Sequence, residues 1–290
     1  MNPSSSELID PAAKSPARPL SAWRRIPIGV VLATFVVAFL VLCALFPTLI
    51  APKDPYQLSL LHSLRAPSPE FPFGTDQLGR DIFSRVVHGA SYSLSIGIGA
   101  TLIAVTVGLL VGLIAGSAGG AVDLAFMRII DVLLAFPALF MSMAVVALIG
   151  KGSMNVLLAI AIAEIPRYAR IVRSQVLVVR QSGYVEAALI LGQRRSVTLI
   201  KHVLPNTIGP LIVLSTLGIG SAILSSAALS YLGLGPKPPT PEWGLMLAEG
   251  QGYLRKAWWI GVFPGIFATL TVVSTTILGR YLKALSDGRA

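Results

Sequence analysis

Long apolar runs alternate with shorter polar stretches along the whole chain. The first run, Ile28–Ile50, contains no charged residue. At ~1.5 Å per residue it is long enough, as a helix, to cross a ~30 Å hydrocarbon core. It exceeds a signal-peptide core in length and no small-residue cleavage site follows, so it is expected to be a retained span. Further runs lie at Leu94–Ala115, Leu124–Ile149, Asn155–Val172, Ile208–Leu232 and Ile260–Leu278. They are long rather than alternating, which predicts helices and excludes barrel strands. The reading is an all-α integral membrane protein with six transmembrane helices. Residues 1–25 form a disordered tail, 26–50 the first helix, 51–91 a connecting segment, 92–279 the core and 280–290 a second tail.

Details inside the runs sharpen this picture. Gly108, Gly112 and Gly116 recur every fourth residue, which sets them on one helix face for close approach of a neighbour. Arg128 and Asp131 stand three apart and are expected to pair along one face. Pro137 predicts a kink or a local break in the third run. Glu164 and Pro166 sit at the weakly apolar end of the fourth. A carboxylate there carries a functional prior, although exposure at the membrane interface is the favoured reading. Gly233–Tyr253 reads as a Pro/Gly loop, and Trp258 and Trp259 as an interface belt. Cys43, the single cysteine, reads as a packing residue.

Composition agrees with the pattern. The 290 residues are 54% hydrophobic and 12% charged, with a formal net charge of +10. Soluble domains carry roughly 25% charged residues. Nucleic acid is excluded as a partner because the charges lie at the ends of apolar runs. The connection between the fourth and fifth runs carries Arg167, Arg170, Arg173, Arg180, Arg194, Arg195 and Lys201. Both termini are basic as well, and in a six-span layout all three fall on one side. The positive-inside rule makes that side cytoplasmic. Residues 51–91 and 233–257 are nearly charge-balanced and fall on the opposite side.

The connection at 173–206 is the most ordered polar stretch, with Tyr184–Pro205 reading YVEAALILGQRRSVTLIKHVLP. Val185–Leu191 reads as a short surface helix, with Gly192 as its C-cap. A second helical turn, Ser196–Val203, is expected to end or kink at Leu204-Pro205. Ala187 and Ala188 give the first helix a smooth face suited to a groove, and Glu186 can cap backbone or pair with a basic residue of a partner.

Glu186-Ala187-Ala188, Gly192 and Leu204-Pro205 resemble the EAA loop of bacterial ABC importer permeases, EAA-x3-G-x9-I-x-LP. His202 stands in place of the Ile. With Asn206 it reads H-x-LPN, which resembles the peptide/nickel branch. Gly74-Thr75-Asp76-Gln77-Leu78-Gly79-Arg80-Asp81 resembles that branch's GTDxLGRD signature, and PPTPEWG at 238–244 its later one. The likeness is to the C-type subunit of oligopeptide/dipeptide permeases. Ser226 departs from a frequent Glu, and the C-terminus lacks the usual GDGLRDALDP.

The resemblance implies a type I importer permease fold in a bacterial cytoplasmic membrane, with coupling helices and both termini cytoplasmic. It also implies a second homologous permease, two ATPases that carry the ATP and Mg, and an extracytoplasmic substrate-binding protein. Transport would run by alternating access, with peptides or dipeptides as the leading substrates and nickel chelates, haem, glutathione or sugars as alternatives. This chain has no G-x4-G-K-[ST] of its own, and a cofactor bound to it is not expected. Asp76, Arg80 and Asp81 form either a buried salt-bridge cluster, the favoured reading, or a contact to the binding protein. His62 and His88 are isolated and show no metal-ligand spacing. A secondary transporter would show matched inverted halves, and an enzyme a nucleophile–base arrangement. Neither is present in the sequence.

Overall fold

The computed structural model describes residues 26–286. The tail expected at 1–25, and the end of the one expected at 280–290, lie outside the described residues. Helices dominate: α1 Ile28–Leu45, α2 Pro47–Ile50, α3 Ile82–Ala118, α4 Gly120–Leu134, α5 Ala138–Ile149, α6 Ser153–Arg180, α7 Gly183–Ile190, α8 Arg195–Thr198, α9 Leu204–Tyr231, α10 Trp243–Gly250 and α11 Trp259–Ser286. Residues 280–286 therefore continue α11.

Among the described residues, four helical stretches are long and apolar enough to cross a membrane: α1, α3, the run Arg195–Tyr231, and α11. The α4–α5 pair forms a fifth stretch, bent by 91°. Pro137 stands at this break as the residue before α5, so it produces a corner rather than a kink. Helix α6 is long enough but holds Glu164, Arg167, Arg170, Arg173 and Arg180. This arrangement is compatible with six crossings. Helix α3 has 37 residues, hence ~55 Å at ~1.5 Å per residue, and its first turns stand outside a ~30 Å core.

The centre of the bundle is the α3–α6 pair. A Cβ on Gly108 would sit 2.5 Å from Tyr168 Cβ, one on Gly112 2.6 Å from the Ala169 carbonyl, and one on Gly116 2.8 Å from Val176 Cγ1. Only hydrogen at these positions lets the backbones approach so closely. Helix α9 closes on both partners, and α11 packs on α9 and α1. Cys43 is fully buried among Leu40, Val87 and Trp243.

Four expectations change. Asp131 pairs with Arg170 of α6, not with Arg128. Asp123 likewise takes Arg173 at 2.6 Å, so α4 is tied sideways to α6 rather than along itself. Residues 233–253 are not simply a loop, because Glu242 caps α10 by accepting from Leu245 N at 2.8 Å. Trp243 then enters the core and donates its indole N–H to the Val86 carbonyl at 2.9 Å. Trp258 is half-exposed, but Trp259 is buried and donates to the Thr75 carbonyl at 3.0 Å. Finally, the Glu164 side chain is only 14% exposed, less than its place at the end of an apolar run predicts.

Candidate functional site

Two clusters of polar residues stand at opposite ends of the bundle. The first is built where α6 hands the chain to α9. Arg180, at the end of α6, donates to the Gly116 and Ser117 carbonyls at 2.6 and 3.0 Å. It thereby caps the C-terminus of α3, where a cation also suits the helix dipole. The chain turns and forms α7. Val185 faces inward and is buried, while Tyr184, Glu186, Ala187 and Ile190 are exposed.

Helix α7 stops by a complete Schellman arrangement. Gly192 N donates to the Leu189 carbonyl at 3.0 Å and Gln193 N to the Ala188 carbonyl at 3.1 Å. Gly192 has φ +82°, a left-handed conformation that costs a residue with a Cβ about 1 kcal/mol or more. Behind α7, a cavity of about 490 Å³ opens against the end of α3, with Ile114, Val185, Leu189 and Leu199 in its wall.

After Gly192 the chain is clipped to the next helix. The Gln193 Oε1 accepts from Thr198 Oγ1 and from His202 Nε2, each at 3.2 Å. Asn206 Nδ2 donates to the His202 carbonyl at 2.6 Å. His202 and Asn206 are thus internal braces. Gln193 and Thr198, which complete the clip, are missed by a reading that follows the motif alone.

Leu204-Pro205 does not end the helix. Leu199–Val203 forms a π turn, in which Leu204 N bonds back to the Leu199 carbonyl, and the helix continues to Tyr231. Pro205 lacks an N–H and would clash with the carbonyl four residues back. The wider π turn shifts the register just ahead of it and relieves both problems.

The second cluster occupies residues 51–85. Gly74 and Gly79 have φ +74° and +73°. A Cβ on Gly79 would fall 1.8 Å from the Ser59 carbonyl oxygen. Thr75 Oγ1 donates to the His62 carbonyl and accepts from Arg65 N, knitting the segment together.

Asp76 Oδ1 accepts from Leu78 N and Arg80 N, both at 2.9 Å, and its Oδ2 meets Arg80 Nε at 2.5 Å. Arg85 Nε lies 3.8 Å from the same oxygen. Glu249 Oε2 of α10 completes the set, 3.2 Å from Arg85 Nη2 and 3.5 Å from Arg80 Nη2. Both arginines are 1% exposed. Burial pushes the Glu249 carboxyl above its ordinary range, against the opposing pull of Arg85 and Arg80.

Asp81 stands apart from this network. Its Oδ2 accepts from Ser84 N and Oγ at 2.9 and 2.7 Å, capping α3. The charge cluster is therefore Asp76, Arg80, Arg85 and Glu249 rather than Asp76, Arg80 and Asp81. Glu249 lies too far along the chain for sequence spacing to signal it. Of the isolated histidines, His62 faces Ser59 Oγ at 3.1 Å and His88 the Ser84 carbonyl at 2.9 Å.

One cluster offers a rigid exposed helix, the other a braced cap over the bundle, and both suit contact with other proteins. The chain is 41% identical over 260 residues to the "Probable D,D-dipeptide transport system permease protein DdpC" of Escherichia coli K12, covering 90% of this chain and 87% of that one. It is 40% identical over 254 residues to the "Di/tripeptide transport system permease protein DppC" of Pseudomonas aeruginosa UCBPP-PA14, covering 86% and 84%. It is 42% identical over 266 residues to the "Glutathione transport system permease protein GsiD" of Escherichia coli O6:K15:H31, covering 91% and 88%. Residues 108–289 match the family described as "Binding-protein-dependent transport system inner membrane component". The chain belongs to this family and is a multi-pass membrane permease component of an ABC importer, with the type I permease fold.

Proposed function

We propose that the chain is the C-type permease of a heteromeric importer that carries peptides or dipeptides into the cell. A second, similar permease completes the path. Two ATPases dock on the cytoplasmic loops of the pair, α7 among them, and an extracytoplasmic binding protein delivers substrate. Both termini are cytoplasmic, and the 51–81 segment faces outward. ATP is bound and hydrolysed on the partner chains. Closure of the ATPase pair draws the coupling helices together, and the bundles rock from inward- to outward-facing.

The observation that carries this reading is α7 itself: a short helix, apolar on its inner side, exposed at Glu186 and Ala187, and stopped sharply at Gly192. The Gln193 clip passes a push on α7 to α9 without slack. The names of the relatives, which are for D,D-dipeptides, di- and tripeptides and glutathione, support a short peptide as cargo.

Glu186→Arg and Gly192→Asp are the direct test. We expect each to lower co-purification of the ATPases and to abolish ATP-driven peptide uptake in proteoliposomes, with the permease still folded. Recovery of the ATPases at wild-type yield would remove the docking role from α7.

A further inference from the structure

Beside the charge cluster, a separate cavity of about 240 Å³ opens on the outer face of the 51–81 segment, lined by Lys53, Asp54, Gln57, Ser59, His62 and Asp81 among others. That is several times the ~30 Å³ share of one water, so the space exceeds a hydration site. Asp81 is 5% exposed, and its Oδ1 is buried with no hydrogen-bond partner. Buried polar groups are normally satisfied, whereas Asp81, in the wall of this cavity, keeps one carboxylate oxygen unserved.

No cation among the described residues serves it. The Lys53 ammonium donates to the Glu70 carbonyl and lies 4.1 Å over the Phe71 ring. Arg65 is 3.2 Å from the Glu70 carboxylate. Asp54 and Asp81 have no ion-pair partner among the described residues. The pocket is therefore net anionic.

Exposed leucines neighbour the pocket residues Gln57, Ser59 and His62 along the chain. Leu58, Leu60 and Leu61 are 63%, 75% and 95% exposed. Clustered exposed leucines on a polar segment mark an interaction surface. Anionic lipid headgroups fit poorly beside Asp54 and Asp81, whereas a protein with an apolar patch and a protruding base fits both features. The family description supplies such a partner, since transport depends on a binding protein.

We propose that this pocket receives a lysine or arginine side chain of the substrate-binding protein, with Leu58, Leu60 and Leu61 packing around it. The proposal rests on the importer reading above. Asp81 would then do two things: Oδ2 holds the first turn of α3, and the carboxylate charge draws the incoming cation into the pocket. Docking would be signalled directly to the N-terminus of the central helix.

The test measures the affinity of the binding protein for the intact complex in nanodiscs, at low and high salt. Gln57 is exposed and lines the pocket, so Gln57→Lys places a competing cation there without disturbing the core. Asp81→Asn keeps an oxygen for the cap and removes the charge. Each is expected to weaken docking about tenfold or more, and Leu61→Ser several-fold. Salt is expected to weaken wild-type docking more than docking of Asp81→Asn. Folded Gln57→Lys and Asp81→Asn complexes that bind with wild-type affinity overturn the pocket and leave the importer reading standing. Loss of the second permease from either variant assigns the surface to that chain and overturns the proposal. A wild-type complex that binds no binding protein overturns the importer reading together with the pocket.

Discussion

A carboxylate at position 249 keeps Arg80 and Arg85 tolerable side by side. Both guanidiniums are 1% exposed, and Asp76, 2.5 Å from Arg80 Nε and 3.8 Å from Arg85 Nε, is a single charge between two cations. Removing one partner from a buried network leaves an uncompensated charge, at a cost of about 3–5 kcal/mol. Glu249→Ala is therefore expected to lower thermal stability in detergent sharply. Replacing the pair together, as Arg85→Met with Glu249→Leu, is expected to recover most of that loss, because apolar groups of similar volume need no counter-charge. A double-mutant cycle on melting temperature measures the difference. The burial of Asp76 and Arg80 was legible in the sequence from charge placed inside a Gly-rich motif. The part played by Glu249 was not. It reaches the cluster only because Glu242 starts a helix inside an apparent Pro/Gly loop, and local periodicity carries no trace of that long-range closure.

At the scale of elements, the coupling region shows where sequence rules succeed and where tertiary context overrides them. The α7 helix and its glycine stop follow from capping chemistry: the helix lies within two residues of where the pattern places it, and Gly192 stops it as expected. Pro205 defeats the same kind of rule. A proline signals a helix end because it removes a hydrogen bond and clashes, but a π turn answers both objections and leaves the axis continuous. Sequence periodicity has no signature for one extra residue in a turn. Pro205→Ala restores the missing N–H and lets residues 199–204 return to α register. That change rotates α8 by roughly 100° against α9 and pulls His202 away from Gln193. We expect stability to change by less than ~1 kcal/mol, while ATP-driven transport falls several-fold. A variant that melts early instead would show the proline holding the fold rather than the register. The third run teaches a similar lesson, since the sequence marks Pro137 as a disturbance but cannot set its size. The 91° corner is compatible with Arg170 and Arg173 holding α4 against α6.

For the whole molecule, charge placement gives a definite expectation of which end faces the cytoplasm. Seven basic residues lie between Arg167 and Lys201, and translocating them costs far more than translocating the nearly neutral 51–91 and 233–257 segments. The single native cysteine makes the expectation easy to test, because Cys43 is buried in the bundle core and out of reach of a polar reagent. New cysteines report from exposed positions: Ala66→Cys and Lys237→Cys on the balanced end, Gln181→Cys on the basic end. In intact spheroplasts a membrane-impermeant maleimide is expected to label the first two and to reach the third only after the membrane is opened. The same experiment bears on the count of crossings. Positions 66 and 237 are separated by α3, the α4–α5 corner, α6 and α9, so shared labelling requires an even number of crossings among these. With α3, α6 and α9 each crossing once, the bent pair must cross as well, despite its corner. Opposite labelling of 66 and 237 would make α4–α5 a re-entrant hairpin and put the termini on opposite sides.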